Sequence, residues 1–352
     1  MSKKQLFCSK PFEWFEISGM QRYHICCPGW LNLSIGGLHT KPIVAWNNKR
    51  AQTIRHSILD GTFKYCHTCP YLSQEIECVQ KKSNITDIKL QKIIAENQVI
   101  LKHGPTWLNL ANDKSCNLAC VSCRDRHIQI QGEELNRAKQ TQKMLLFEFK
   151  DSLKWLYVTG GGDPFGAKSY RDLLREMQTK NWPQLKIYLH TNGMLFNKKN
   201  WDSISGINRS VKWVHVSIDA ATKQTYAQNR PDGNWDLLME NLKFISTLKT
   251  QGYLETLEIS MVVQQNNWKE MIAFVELGQK FKADKIIFTK LRNWGGRFTK
   301  QEFSQRTVFD PHHLEFKSFV QTLQQPILRK NPPLVVMGEF WNHLQPLKRK
   351  IF

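Results

Sequence analysis

The sequence predicts an α/β protein: an open, partial (β/α)6 barrel behind a small N-terminal cysteine-rich domain. Three observations carry this expectation. From Trp107 onward short β-rich runs alternate with helical stretches; the first eighty residues are instead short-segmented, aromatic and turn-rich; and all nine cysteines lie at or before Cys123.

Within residues 1–80 the sequence predicts a helix near Lys49–Leu59, ended by Gly61. So small a region buries little apolar surface and is expected to lean on a metal or on its neighbour. Residues 81–104 read as a polar connector with room for one helix, closing at Gly104-Pro105. The barrel is expected over 105–309. Its strands are Trp107–Ala111, Trp155–Thr159, Leu185–His190, Lys212–Ile218, Thr256–Val263 and Lys285–Lys290. Between them, Leu237, Leu238, Leu242, Ile245 and Leu248 recur at helical spacing, and similar stripes run through Tyr170–Met177 and Met271–Phe281. Six units fall short of the eight of a closed barrel, so the barrel is expected to be open. Residues 310–352 are expected to pack on it as an extension.

A formal charge of +20 favours anionic partners: nucleic acid, acidic peptides, phosphorylated substrates or membrane surfaces. The excess is spread along the chain, its densest runs being Lys198-Lys199 and Lys348-Arg349-Lys350, and a solvated basic surface explains it equally well. No apolar run approaches the ~18–20 residues of a membrane helix. The N-terminus lacks the apolar core of a secretory signal, so a cytoplasmic location is expected. An odd number of closely spaced cysteines without such a signal points to metal ligation rather than disulfides.

The strongest motif is Cys116-Asn-Leu-Ala-Cys120-Val-Ser-Cys123, directly after the first barrel strand. Three thiolates on a tight loop can hold three irons of a [4Fe–4S] cube and leave the fourth open to a ligand. A zinc site is the bland alternative, although zinc usually takes four protein ligands. Thr159-Gly160-Gly161-Gly162-Asp163-Pro164 follows the second strand, where glycines let backbone carbonyls come close to a ligand. His190-Thr191-Asn192-Gly193 and Ser217-Ile218-Asp219 end the third and fourth strands, converging polar groups on one cleft.

In these motifs and their order, residues 105–300 resemble the radical S-adenosylmethionine (radical SAM) superfamily. The resemblance implies that SAM chelates the open iron of a cluster on Cys116, Cys120 and Cys123 and is cleaved to a 5′-deoxyadenosyl radical. It implies SAM contacts from Gly160, Gly161, Gly162 and Asp163, with Asp in place of the commoner Glu. Thr191, Asn192, Ser217 and Asp219 would meet the ribose and carboxylate, Arg230 the carboxylate, and Gln264 the ribose or adenine. For Arg230 and Gln264, surface or capping roles are equally open.

The N-terminal pattern of Cys8, Gly19, Cys26-Cys27-Pro28, Ile35-Gly36-Gly37, Trp46-Asn47, Arg50, Arg55, Gly61 and Cys66-His-Thr-Cys69-Pro70 resembles the SPASM or twitch module, which holds an auxiliary [4Fe–4S] cluster. That module normally follows the barrel; here it precedes it. The resemblance implies Cys8, Cys27, Cys66 and Cys69 as ligands, with Cys26 able to replace Cys27. A zinc on the same four is the alternative, and Cys78 is left as inert packing, a hydrogen donor or a last ligand.

Family members with auxiliary clusters most often modify peptides. The resemblance therefore implies a ribosomally made precursor peptide with an acidic leader, altered by C–C bond formation, cleavage or excision, and an electron donor such as flavodoxin or ferredoxin. Epimerisation is less expected, since no cysteine follows the barrel motifs. A nucleotide, sugar or RNA substrate is the alternative, though no RNA-binding module is recognisable. A non-catalytic iron–sulfur or zinc protein is the alternative of another class.

Overall fold

The computed structural model describes residues 3–67, 69, 71, 72, 78–329 and 334–340, so Pro70 and the basic run at Lys348–Lys350 lie outside the described residues. The chain forms two compact units. Unit 1 comprises Met1–Lys114, Ile130–Gly162 and Lys168–Ile187; unit 2 comprises Ser115–Gln129, Asp163–Ala167 and Tyr188–Phe352.

Unit 1 contains strands β1 (Leu6–Cys8), β2 (Trp14–Ile17), β3 (Arg22–His24), β4 (Gly36–Gly37), β5 (Val79–Lys81), β6 (Trp107–Leu110) and β7 (Trp155–Val158). Strands β1 and β5 form an antiparallel pair with Cys8 opposite Val79. β2, β3 and β4 form an antiparallel meander, and β2 also pairs in parallel with β6, which pairs in parallel with β7. The first eighty residues therefore share a sheet with the first of the six expected strands. Register is fixed by aromatics: Trp14, Trp107 and Trp155 are direct partners, with ring centroids 6.0 and 4.8 Å apart.

The polar members of the N-terminal pattern knit this region together. Asn48 caps helix Lys49–Leu59 by accepting from the Ala51 N–H at 3.0 Å. Arg50 donates to the Ser34 carbonyl, and the Trp46 indole donates to the carbonyl of His103. Arg55 is fully buried; its guanidinium donates to the carbonyls of Pro11 and Val99 and to Asn47 Oδ1 and lies over the Trp46 ring. Burial pulls its pKa down to about 9. The connector carries one α-helix, Ile88–Ala95, capped by Asp87.

Strand β8 (Lys186–Thr191) begins in unit 1 and continues in unit 2 from Tyr188. Unit 2 adds β9 (Val211–Ser217), β10 (Thr256–Val263), β11 (Lys285–Lys290) and β12 (Leu334–Val336), each parallel to the next. The six expected strands are all present in a mostly parallel α/β arrangement. Strands β2 and β12 were not among those six; β12, three residues long, is too short for a periodic pattern.

The helices fall where the stripes predict: Lys168–Glu176, Trp235–Thr250 and Met271–Lys280. In Trp235–Thr250 the buried face is Leu238, Leu242, Ile245 and Leu248, each burial contributing roughly 1.5–3 kcal/mol, while Leu237 falls on the exposed side. Along β8, Ile187, Leu189 and Thr191 are fully buried, whereas Lys186, Tyr188 and His190 are half-buried. One sheet face thus meets apolar packing and the other is polar, which is the face a reaction site needs. No helix among the described residues is long and apolar enough to cross a membrane.

Replacing Arg55 by Ala removes the donor to the carbonyls of Pro11 and Val99 and one of the two donors to Asn47 Oδ1. The Arg55→Ala variant is expected to lose about 3 kcal/mol of stability, and Arg55→Lys to recover only part of it. Urea denaturation checks this, and an unchanged midpoint would remove Arg55 from this bracing role.

Candidate functional site

Residues 115–129 form a loop whose ends are pinned by an antiparallel bridge, the Cys116 N–H donating to the Ile128 carbonyl at 3.0 Å. Inside it the chain turns tightly about Cys120, whose carbonyl accepts from the N–H groups of Cys123 (2.9 Å) and Arg124 (3.0 Å). The Val121 N–H donates to the Asn229 carbonyl at 3.0 Å, tying the loop to the end of helix Lys223–Asn229. Cys116 and Cys120 are buried and Cys123 is exposed. Two sulfurs receive donors: Asn192 Nδ2 lies 3.4 Å from Cys116 Sγ, and the Arg124 Nε and Nη2 each lie 3.5 Å from Cys123 Sγ. Such donors favour the thiolate, the metal-ligating form. Burial acts the other way, pushing the Cys120 thiol up to about 11 and raising Cys116, where the Asp163 charge adds to it.

Asp163 is fully buried and accepts four hydrogen bonds. Oδ1 takes the N–H groups of Phe165 and Gly166, both at 2.9 Å, while Oδ2 takes the Thr191 hydroxyl at 2.8 Å and the Asn192 N–H at 2.9 Å. The Asp163 N–H itself donates to Ser115. A Cβ on Gly166 would lie 2.9 Å from Asn117 Oδ1 and 3.0 Å from its backbone nitrogen, so only glycine permits this approach. Asn192 completes the tie, donating to Asn117 Oδ1 at 3.0 Å as well as to Cys116.

The second anchor is Asp219, which has φ of 65° in the left-handed region. Its Oδ1 accepts from the Val262 N–H and its Oδ2 from Arg230 Nη2, both at 2.8 Å. This pair is almost wholly buried. Burial disfavours the Arg230 charge, but Asp219 and the neighbouring Cys120 more than restore it and raise its pKa. Arg230 Nε is buried with no hydrogen-bond partner. Asn229 joins these parts: its amide donates to the Asp219 carbonyl, and its Oδ1 accepts from Gln264 Nε2 at 3.1 Å and Asn266 Nδ2 at 2.7 Å. Ser217 Oγ lies 2.8 Å from His190 Nε2.

Unit 2 therefore connects Cys116, Cys120, Asp163, Thr191, Asn192, Asp219, Arg230 and Gln264 through direct hydrogen bonds, short chains of them, or a close charge. Gly160, Gly161 and Gly162 belong to unit 1, where Thr159 Oγ1 accepts from the N–H groups of Gly161 (3.1 Å) and Gly162 (3.2 Å). Sequence reasoning missed Asn117, Arg124 and Asn229. The first two adjoin cysteines of the motif and the third adjoins Arg230, so adjacency was the only available signal.

In unit 1, Cys8 Sγ lies 3.8 Å from Cys78 Sγ, and Ser9 N–H donates to the Cys78 carbonyl at 2.9 Å. That contact, then burial, raises the Cys8 thiol. Burial raises Cys26 and Cys69 and pushes Cys66 up to about 12, and the charge of Cys78 bears on all three. Cys27, raised by burial to about 11, has Glu16 as its leading charged neighbour instead. Cys78 is thus common to Cys8, Cys26, Cys66 and Cys69. Among the described residues, no three His, Cys, Asp or Glu side chains form a site for a single metal ion.

No family model matches the sequence, and no curated protein matches it. Among solved structures, the chain is similar to Streptococcus suis SuiB bound to its precursor peptide SuiA, with 16% identity over 72% of this chain and 56% of that one and a TM-score of 0.43. It is similar to anSMEcpe with bound AdoMet and a peptide, at 17% identity over 64% of this chain and 60% of that one, TM-score 0.40. It is also similar to methylornithine synthase (PylB), at 12% identity over 66% and 70% of the two chains, TM-score 0.38. The chain spans little more than half the length of SuiB. At these identities and scores, the chemistry of the site rests on its own geometry.

Proposed function

We propose that this chain is a radical SAM enzyme acting on a peptide. The observation that carries the reading is the arrangement around the CxxxCxxC loop: donors at the sulfurs of Cys116 and Cys123, and the buried, unpartnered Arg230 Nε beside Cys120. These residues fit a [4Fe–4S] cluster with one open iron and an anionic ligand group next to it. When bound, the cluster supplies the electron that cleaves SAM to the 5′-deoxyadenosyl radical, which takes a hydrogen atom from the substrate.

The chain's own part is to hold and shield. Cys116, Cys120 and Cys123 bind the cluster, with Asn192 and Arg124 as hydrogen-bond donors at the sulfurs of Cys116 and Cys123. Arg230, kept charged by Asp219, holds the SAM carboxylate with its Nε donor. The carbonyls of Gly160, Gly161 and Gly162 receive the amino group, with Asp163 as the brace behind Thr191 and Asn192. Ser217 and Gln264 serve the ribose and adenine.

A second [4Fe–4S] centre is assigned to unit 1. Its thiols are Cys8, Cys26, Cys66 and Cys69, with Cys78 as a fifth in the same group; this replaces Cys27 by Cys26. The substrate is a precursor peptide with an acidic leader, which complements the charge of +20. A flavodoxin or ferredoxin serves as reductant.

After anaerobic loading with iron and sulfide, the protein should form 5′-deoxyadenosine from SAM and a reductant. Each of Cys116→Ala, Cys120→Ala and Cys123→Ala should abolish it; undiminished product in all three would overturn the reading. Arg230→Lys keeps the charge but loses the Nε donor. It is expected to weaken SAM binding about tenfold at unchanged iron content, measured by equilibrium dialysis of the loaded protein. Iron analysis also separates the N-terminal cysteines: Cys26→Ala should fall from about eight irons towards about four, and Cys27→Ala should remain at about eight.

A further inference from the structure

The sheet face that carries Asn192 and Asp219 also carries a continuous line of ionisable and hydroxyl side chains. Side chains alternate along a strand, so Tyr188 and His190 on β8, His215 and Ser217 on β9, and Glu258 and Ser260 on β10 share that face. Parallel register sets Glu258 beside His215 and Ser260 beside Ser217. The links between them run from 2.7 to 3.4 Å. His190 Nε2 lies 2.8 Å from Ser217 Oγ, Ser217 Oγ 3.4 Å from Ser260 Oγ, and Ser260 Oγ 2.7 Å from His215 Nε2. On its other nitrogen, His215 Nδ1 lies 3.0 Å from the Tyr188 hydroxyl and 3.4 Å from Glu258 Oε2. Tyr188 donates to the same carboxylate at 2.8 Å, and Lys285 pairs with its other oxygen at 3.2 Å.

A serine hydroxyl has one proton to donate, so the two serines must point the same way along the line. Two arrangements satisfy every member. In one, His190 Nε2–H donates to Ser217, Ser217 to Ser260, and Ser260 to a neutral His215. In the other, a protonated His215 donates to Ser260, Ser260 to Ser217, and Ser217 to His190 Nε2. They differ by a shift of one proton position at each link, which is the requirement for a proton-conducting line.

We propose that this line is a proton relay between His190, two residues before Asn192, and His215, whose Nδ1 lies beside Glu258. A proton arriving at His190 Nδ1 releases the Nε2 proton to Ser217; Ser217 passes its own to Ser260, and Ser260 passes its own to His215 Nε2. The proton count is conserved, and His190 ends neutral with its proton on the other nitrogen. This assignment rests on the radical reading and narrows its chemistry. It suits a substrate from which a hydrogen atom and then an electron are removed, the electron passing to an oxidised iron–sulfur centre and the remaining proton to His190.

The surrounding charges suit the direction. The charge of Arg230, paired with Asp219, bears on His190. Burial, His215 and Arg230 together hold His190 well below the ordinary imidazole range, so it hands a proton on rather than keeping it. At the far end, burial opposes ionisation of Glu258, but the hydrogen bond and charge of His215, with Lys285 and Tyr188, hold its pKa down at about 2. Lys285 also lies 4.4 Å above the Trp213 ring, on which Tyr188 stacks.

Nitrogen NMR of the full chain carrying ¹⁵N-histidine tests the relay, with His190→Gln and His215→Gln used to assign the signals. On lowering the pH, His215 should gain its second proton and His190 Nε2 should change from proton-bearing to proton-accepting at one shared midpoint. Ser260→Ala should leave His190 unresponsive at that midpoint, and Ser260→Thr should restore the coupling. Unrelated midpoints in the wild-type chain would overturn the relay without any variant. Formation of 5′-deoxyadenosine is a separate readout: its absence sinks the radical reading, while uncoupled histidines in a chain that cleaves SAM sink only the relay.

Discussion

A carboxylate taken out of water must be met by hydrogen-bond donors, and the site is organised around the four that meet Asp163. Two come from the turn that follows it and two from the end of β8. One side chain therefore fixes the loop after β7 against the residues that end the next strand. Through Asn192 the constraint reaches Cys116 Sγ and Asn117, and the Asp163 N–H itself donates to Ser115 of the same loop. A glutamate would place its oxygens one methylene further out, in a fully packed setting where extra volume displaces its neighbours. Asp at this position is thus fitted to bracing rather than to reaching outward.

The other half of the site is built on a buried ion pair. Removing one partner of such a pair leaves an uncompensated charge, usually a cost of about 3–5 kcal/mol, which makes Asp219 and Arg230 a unit. The left-handed backbone at Asp219 lets one carboxylate oxygen take the N–H of Val262 while the other takes Arg230. The arginine is thereby positioned by a carboxylate and by a helix end without using its Nε. Asn229 explains why Arg230 and the cysteine loop stay together: its carbonyl accepts from Val121 of the loop while its side chain donates to Asp219.

Most of the fold was legible because its strands and helices follow their own periodicity. The six strands are short apolar or alternating runs set between helical stripes, and Leu238, Leu242, Ile245 and Leu248 mark one helix face unaided. The parallel pairing of β2 with β6 was not legible, because a four-residue strand carries no sign of its partner and its register is set by Trp14 meeting Trp107 across ninety-odd residues. In the site, the residues on motif positions were visible and the ones that hold them were not. Asp163 stands out in the sequence by its motif, but the four donors that hold it do not. His190, His215 and Glu258 lie on three different strands, and only the register of those strands brings them into one line.

The same limit applies to the N-terminal cysteines. Adjacent residues Cys26 and Cys27 are indistinguishable by distance along the chain, yet one shares the neighbourhood of Cys78 and Cys66 and the other has Glu16 as its leading charged neighbour. Burial opposes the thiolate at both positions, so the iron count of the two variants decides between them. Burial holds the remaining thiols in the protonated form, in which they pack as small apolar groups in a region of limited core. Ligation requires those protons to leave, so metal loading, proton release and the stability of the region are a single linked equilibrium. Cys78, brought beside Cys8 by the pairing of β1 with β5, is where that equilibrium couples to the fold: forming the strand pair draws the far end of the N-terminal region to its beginning.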